Sequence, residues 1–173
     1  MDQPVPDTDA LCLRCGLCCD GTFFGSVLVA DAERPRLERV GLRVVEQDGT
    51  PALPQPCVAL QGFLCSAYAA RPAACAKYEC SLRKAVGAGE ASLEDARAKV
   101  ARMHALLTTI RAAFDCPPST SIWERILALD EPTTAEARAV AVRDYAGAID
   151  AVSELLTLGR ASFEPRFAGG GSR

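Results

Sequence analysis

Eight cysteines stand within the first 80 residues of a 173-residue chain, in two groups. Cys12, Cys15, Cys18 and Cys19 are spaced C-x2-C-x2-C-C; Cys57, Cys65, Cys75 and Cys80 are spaced C-x7-C-x9-C-x4-C. A ninth, Cys116, stands alone before Pro117-Pro118 and reads as a small buried hydrophobe. Four thiols inside eight residues pair poorly among themselves, because bridged Cα atoms lie about 4.4–6.8 Å apart with a defined torsion. The opening MDQPVPDTDALC carries acids and prolines where a secretory signal has a basic start and an apolar run. The expectation is a cytoplasmic chain whose thiols stay reduced.

Reduced thiolates in such density are soft ligands, suited to zinc and to iron–sulfur clusters. Gly16 after Cys15 lets the backbone turn and aim amide N–H groups at sulfur, which helps carry the negative charge of a four-thiolate site. Arg14, Arg71, Lys77, Arg83 and Lys84 lie within or beside the groups as candidate counter-charges. Eight cysteines make two four-thiolate sites, or one such site plus thiols with other duties. With 37 residues between Cys19 and Cys57, the two groups cannot be one local knuckle, and metal would have to tie them together. Metal-binding energy would then be folding energy for this half. The side chains of the vicinal pair Cys18-Cys19 point apart, so one can serve a centre that the other does not.

Spacing argues against three familiar sites. A bacterial ferredoxin run needs C-x2-C-x2-C-x3-C-P, and Thr22 stands where its fourth cysteine belongs. A zinc ribbon needs a second C-x2-C pair, which is missing. A thioredoxin-like pair follows a strand, whereas Cys12 to Cys15 reads as a glycine-rich loop. Cys75 falls in the first turn of a helix opened by Pro72, where the dipole favours a thiolate. Cys80 lies about 140° further around an ideal helix, so both serve one metal only if that helix breaks.

Composition sets the remaining bounds. Nineteen bases against 22 acids exclude a polycationic nucleic-acid binder. No apolar run reaches the ~18 residues of a membrane-crossing helix. The expected fold class is mainly α with a small irregular or β element: a cysteine-rich, metal-organised N-terminal half packed on C-terminal amphipathic helices. Residues 1–10 read as a flexible lead-in, 11–86 as the metal-binding region, 90–160 as a helical region of the same domain, and 161–173 as a flexible tail. Strands are expected at 26–30 and 42–45, the latter before a turn at Gln47-Asp48-Gly49. A helix is expected at 32–40, and the proline-rich stretch 50–56 reads as an extended connection. One helix should run from Pro72 to Val86. Ser92 caps the next, with Val100, Met103, Leu106, Leu107, Ile110 and Phe114 on its buried face. Ile122 to Leu129 is a short helix. Thr133 and Glu136 form a capping box for a last one, whose face is Val140, Tyr145, Ile149, Val152 and Leu156, ending at Gly159. His104, the only histidine, reads as a half-buried structural residue.

The run C-x-x-C-G-x-C-C at 12–19, with Pro56-Cys57, Cys65, Tyr68, Arg71-Pro72, Cys75, Tyr78 and Cys80, resembles the CxxCxxCC cysteine-cluster family, also called YkgJ-type. The resemblance covers residues 11–85. It implies chelation of zinc, iron or an iron–sulfur cluster, in one or two centres, through Cys12, Cys15, Cys18, Cys19, Cys57, Cys65, Cys75 and Cys80. Two other readings compete. One is a redox or transfer enzyme using an open metal position or an activated Cys75. The other is a metal-stapled module whose helices dock a protein partner.

Overall fold

The computed structural model describes residues 7–128 and 134–163. It begins with helix α1 (Asp7–Leu13), so residues 7–10 are helical and not part of a flexible lead-in, and Cys12 lies in a helical turn. The reason is packing: Leu11 is buried in a helical core, and α1 lies against α4 (Ser81–Gly87) and α5 (Leu93–Ala113).

Strand β1 (Ser26–Leu28) follows, then a 3-10 turn (Asp31–Glu33) and α2 (Arg34–Arg39). The second strand lies later than its apolar residues suggest: β2 is Val45–Gln47, and Leu42 is instead buried in a core. Asp48-Gly49 closes a two-residue hairpin with positive φ at both positions, the geometry that matches strand twist. The stretch after it is not an extended connection. Thr50–Pro54 is β3, the central strand of a three-stranded antiparallel sheet ordered β1-β3-β2. Its prolines are tolerated because Pro51 stands beyond the Leu28↔Ala52 end of β1 and Pro54 beyond the Val45↔Ala52 end of β2. Strands β4 (Leu60–Gln61) and β5 (Leu64–Cys65) form a separate small hairpin.

The helix expected from Pro72 to Val86 is two helices. α3 covers Ala73–Lys77, Tyr78 is extended, and Cys80 is the N-cap of α4. α4 ends at Gly87, and Ser92 caps α5, its Oγ accepting from the Asp95 N–H at 3.0 Å. The expected face of α5 is buried as read. α6 (Ile122–Leu127) is capped by Ser121. α7 runs Ala135–Ser162; Thr133 lies outside the described residues. Its buried face is only partly the expected one: Tyr145 and Val152 pack against the helical core, but Ala148, Ala151 and Leu155 are the buried residues, and Val140 and Ile149 are each 46% exposed. Small residues let α7 sit close to the core. Gly159 does not end the helix but receives the Phe23 ring, whose Cε1 would stand 2.2 Å from a Cβ there. Phe163, expected in a tail, is 1% exposed and stacks on Phe23.

Two hydrophobic cores result. One lies among α1, α4, α5 and α7 and holds Leu17, Met103, Ile110, Leu155 and Phe163. The other lies beneath the sheet and holds Val27, Leu37, Leu42, Leu53 and Ala59.

Candidate metal centre

A cavity of about 130 Å³ is lined by all eight N-terminal cysteines and by Arg71 and Arg83. Cys116 does not line it. That residue is buried near α6 and accepts from Arg111 Nη1 at 3.4 Å, as its isolation suggests. No disulfide joins any of the nine cysteines. Among the described residues, no three Cys, His, Asp or Glu side chains are gathered tightly enough to hold one ion as they stand. The thiols are spread around the wall.

Each cysteine has a local reason for its place. Cys12 sits in the last turn of α1. The loop after it folds back, with Cys15 N–H donating to the Cys12 carbonyl at 3.3 Å and Cys19 N–H to the Gly16 carbonyl at 2.8 Å. Gly16 has φ +67°, and a Cβ there would stand 3.2 Å from Leu60 Cδ1 and 3.3 Å from Phe63 Cα. The β4–β5 hairpin thus rests directly on the cysteine loop. The loop's far end is tied to α6: Trp123 Nε1 donates to the Thr22 carbonyl at 2.6 Å and Ser121 Oγ to the Gly21 carbonyl at 3.0 Å.

Cys57 N–H donates to the Cys19 carbonyl at 2.7 Å, which joins the two sequence groups through backbone. Cys65 pairs with Leu60 across the hairpin. Cys75 lies in the first turn of α3, whose start is gripped from the 3-10 turn and α2. Ala73 N–H donates to Glu33 Oε1 at 2.9 Å, and Arg36 Nη1 donates to the Ala70 carbonyl at 2.6 Å.

Amide N–H groups are aimed at sulfur as the glycine suggests. Leu17 donates to Cys15, Ala59 to Cys57, and Arg83 to Cys80 Sγ at 3.3 Å. Of the five candidate counter-charges, Arg14, Lys77 and Lys84 are exposed and do not line the cavity. Arg83 Nη1 lies 4.0 Å from Cys12 Sγ, while its Nη2 pairs with Asp9 at 3.0 Å. Arg71 stacks 3.7 Å above the Tyr68 ring and donates to the Tyr68 carbonyl at 2.7 Å.

Burial dominates the thiol chemistry. It pushes Cys15 up to about 12 and raises Cys12, Cys18, Cys19, Cys57 and Cys80 above the ordinary 9.0; at all of these but Cys80, neighbouring thiols add to the rise. Without a cation these six stay protonated at neutral pH. A bound metal reverses the preference, because it bonds to the thiolate and releases the proton.

His104 is half-buried, as expected, but it also holds the site. Its Nε2 lies 2.8 Å from the Cys15 carbonyl, and a carbonyl only accepts, so Nε2 carries the hydrogen. Burial lowers its basicity, and the ring lies against that of Phe63, centroids 3.9 Å apart and tilted by 36°. Sequence reasoning missed Asp9, Glu33, Arg36 and Phe63. No motif marks them, since each meets the site through tertiary contact.

One comparison is positive. A family model described as "CxxCxxCC: Putative zinc- or iron-chelating domain" matches residues 11–102, reaching from α1 into α5. No curated protein and no solved structure matches the chain.

Proposed function

The chain belongs to the CxxCxxCC family of zinc- or iron-chelating domains, and on that premise we propose that it chelates metal through all eight N-terminal cysteines, as iron–sulfur. The observation that carries the reading is selective: eight of nine cysteines, drawn from two groups 37 residues apart, line one cavity, and the ninth does not. The donors suit the cargo. They are soft thiolates, with amide N–H groups on the sulfurs of Cys15, Cys57 and Cys80 and two guanidinium groups in the wall.

Cavity size favours a polynuclear group over a lone ion. About 130 Å³ is room for on the order of ten water-sized spheres, more than one bare divalent ion fills. Cys75 shares its wall with seven other thiols, which supports ligation over a separate nucleophile. When bound, a thiolate-ligated iron–sulfur group supplies one-electron chemistry at a potential set by hydrogen bonding and exposure.

Anaerobic purification followed by iron, zinc and acid-labile sulfide analysis with a visible spectrum tests the reading. Iron and sulfide in matching amounts, with absorbance bleached by dithionite, are expected. Stoichiometric zinc without sulfide would overturn the iron–sulfur part, and neither metal would overturn chelation itself.

A further inference from the structure

We propose that the eight cysteines form two four-thiolate centres, Cys12, Cys15, Cys18 and Cys80 in one and Cys19, Cys57, Cys65 and Cys75 in the other, divided at the Cys18-Cys19 peptide bond. The inference rests on the chelation reading above and specifies its ligand sets.

Packing draws the line first. Cys15, Cys18 and Cys80 belong to the helical core with Leu17, Leu82 and Val100. Cys57, Cys65 and Cys75 belong to the sheet core with Leu53, Ala59 and Ala67. Each core therefore presents three thiols to the cavity from its own side.

Hydrogen bonds assign the remaining two. Arg83 bridges Cys12 and Cys80: its backbone N–H donates to Cys80 Sγ at 3.3 Å, and its Nη1 stands 4.0 Å from Cys12 Sγ. α1 and α4, which carry those two cysteines, are packed together. Cys19 goes the other way, since its carbonyl accepts from Cys57 N–H at 2.7 Å. Leu60 N–H in turn donates to the Cys57 carbonyl at 2.9 Å, and Leu60 pairs with Cys65.

Thiol–thiol electrostatics agree. Cys15 feels Cys80 and Cys12; Cys19 feels Cys57, Cys75 and Cys65. Among these couplings of the described residues, the pair that crosses the division is Cys18 with Cys19, which are covalent neighbours.

The division accounts for three oddities of the sequence. Vicinal cysteines cannot both face one centre comfortably, but they serve well as the shared wall of two. Cys75 and Cys80, on opposite sides of the break between α3 and α4, need not meet on one ion. Each quartet also takes ligands from both sequence groups, so each centre ties residues 12–19 to residues 57–80. Two thiolate quartets side by side concentrate negative charge, and Arg71 and Arg83 both line the cavity.

The test is pulsed alkylation with N-ethylmaleimide on the metal-loaded full chain, read cysteine by cysteine by mass spectrometry alongside metal analysis. In Cys65→Ala, label should appear on Cys19, Cys57 and Cys75 while Cys12, Cys15, Cys18 and Cys80 stay protected. Metal content should fall about twofold. Cys80→Ala should give the converse. A folded variant that loses all metal and labels all seven remaining cavity thiols alike, or labels Cys18 and Cys19 as one group, would overturn the division.

If both variants fail to fold, graded metal removal from the wild-type chain decides. Thiols released in two sets of four with the stated membership support the proposal, and any other grouping overturns it. A wild-type chain with metal and eight protected thiols that open together refutes the division alone. One with no metal and all eight labelled defeats the chelation reading as well.

Discussion

Gly16 is where the β4–β5 hairpin meets the cysteine loop. Its φ of +67° is left-handed, and the place of a side chain is filled by Leu60 and by Phe63 backbone. Gly16→Ala should cost about 1–2 kcal/mol from the backbone alone, lowering Tm by roughly 2–8 °C. An unchanged Tm would show that the hairpin does not bear on the loop. Arg83 works through charge instead. It stands beside Cys12 and Cys80 and is itself held by Asp9. Arg83→Gln keeps the backbone bond to Cys80 Sγ and removes the positive charge. Metal affinity, followed by competition with a chelator, should fall on the order of 10–100-fold; no change would remove Arg83 from the site. At this scale the sequence was half legible. The glycine after Cys15 announces a turn, and Arg83 is one of five plausible bases. Nothing in the spacing tells which base faces inward, because that depends on where α4 begins.

Elements were read well where burial is one-sided and badly where it is shared. α5 shows its core face in the sequence because one stripe alone is buried against α7 and α1. β3 was hidden by its prolines, although each occupies a place where a neighbouring strand has already ended. The face of α7 was read only in part, through Tyr145 and Val152, because its closest contact uses Ala148, Ala151 and Gly159 beside Leu155. The break between α3 and α4 was foreseen only as a condition for Cys75 and Cys80 to share a metal; the two quartets make it useful without that condition. What holds α3 in place is tertiary and pH-sensitive. The Ala73 N–H holds the Glu33 carboxyl below the ordinary 4.5, with Arg36 helping. Such a group stabilises fully above pH 4.5, and that contribution is lost as pH falls through the lower folded value. The protection of the amides at residues 73–76, measured against the intrinsic exchange rate at each pH, should therefore fall on acidification. Glu33→Gln should show the lowered protection already at neutral pH and lose the acid step. An acid step that persists in this variant would place its origin elsewhere.

The whole molecule is two cores facing each other across a thiol-lined cavity, and this sets opposite pH behaviour for the metal-free and loaded chains. Six thiols are raised above 9.0 by burial, Cys15 to about 12. A group raised on folding binds its proton more tightly in the folded state. Below pH 9.0 both folded and unfolded chains hold these protons, and stability is at its full value. As pH climbs through the window from 9.0 toward 12, the unfolded chain ionises first and is favoured. The metal-free protein should therefore lose Tm steadily above pH 9. In the loaded protein the same sulfurs are already deprotonated and bonded, so this loss is absent. Acid acts the other way, because protons compete with metal for sulfur and loading should weaken as pH falls. The difference in Tm between loaded and metal-free chain should then grow from pH 6 to pH 10. Taking the difference cancels lysine and tyrosine titration common to both forms. A gap that stays constant over that range would mean that the buried thiols are not where the metal binds. The expectation that two groups 37 residues apart serve one region was legible from their number, and all eight line one cavity, already joined there by the Cys57 N–H to Cys19 carbonyl bond. That each core would bring its own share of sulfur was not, because it is decided by packing between segments with no common period.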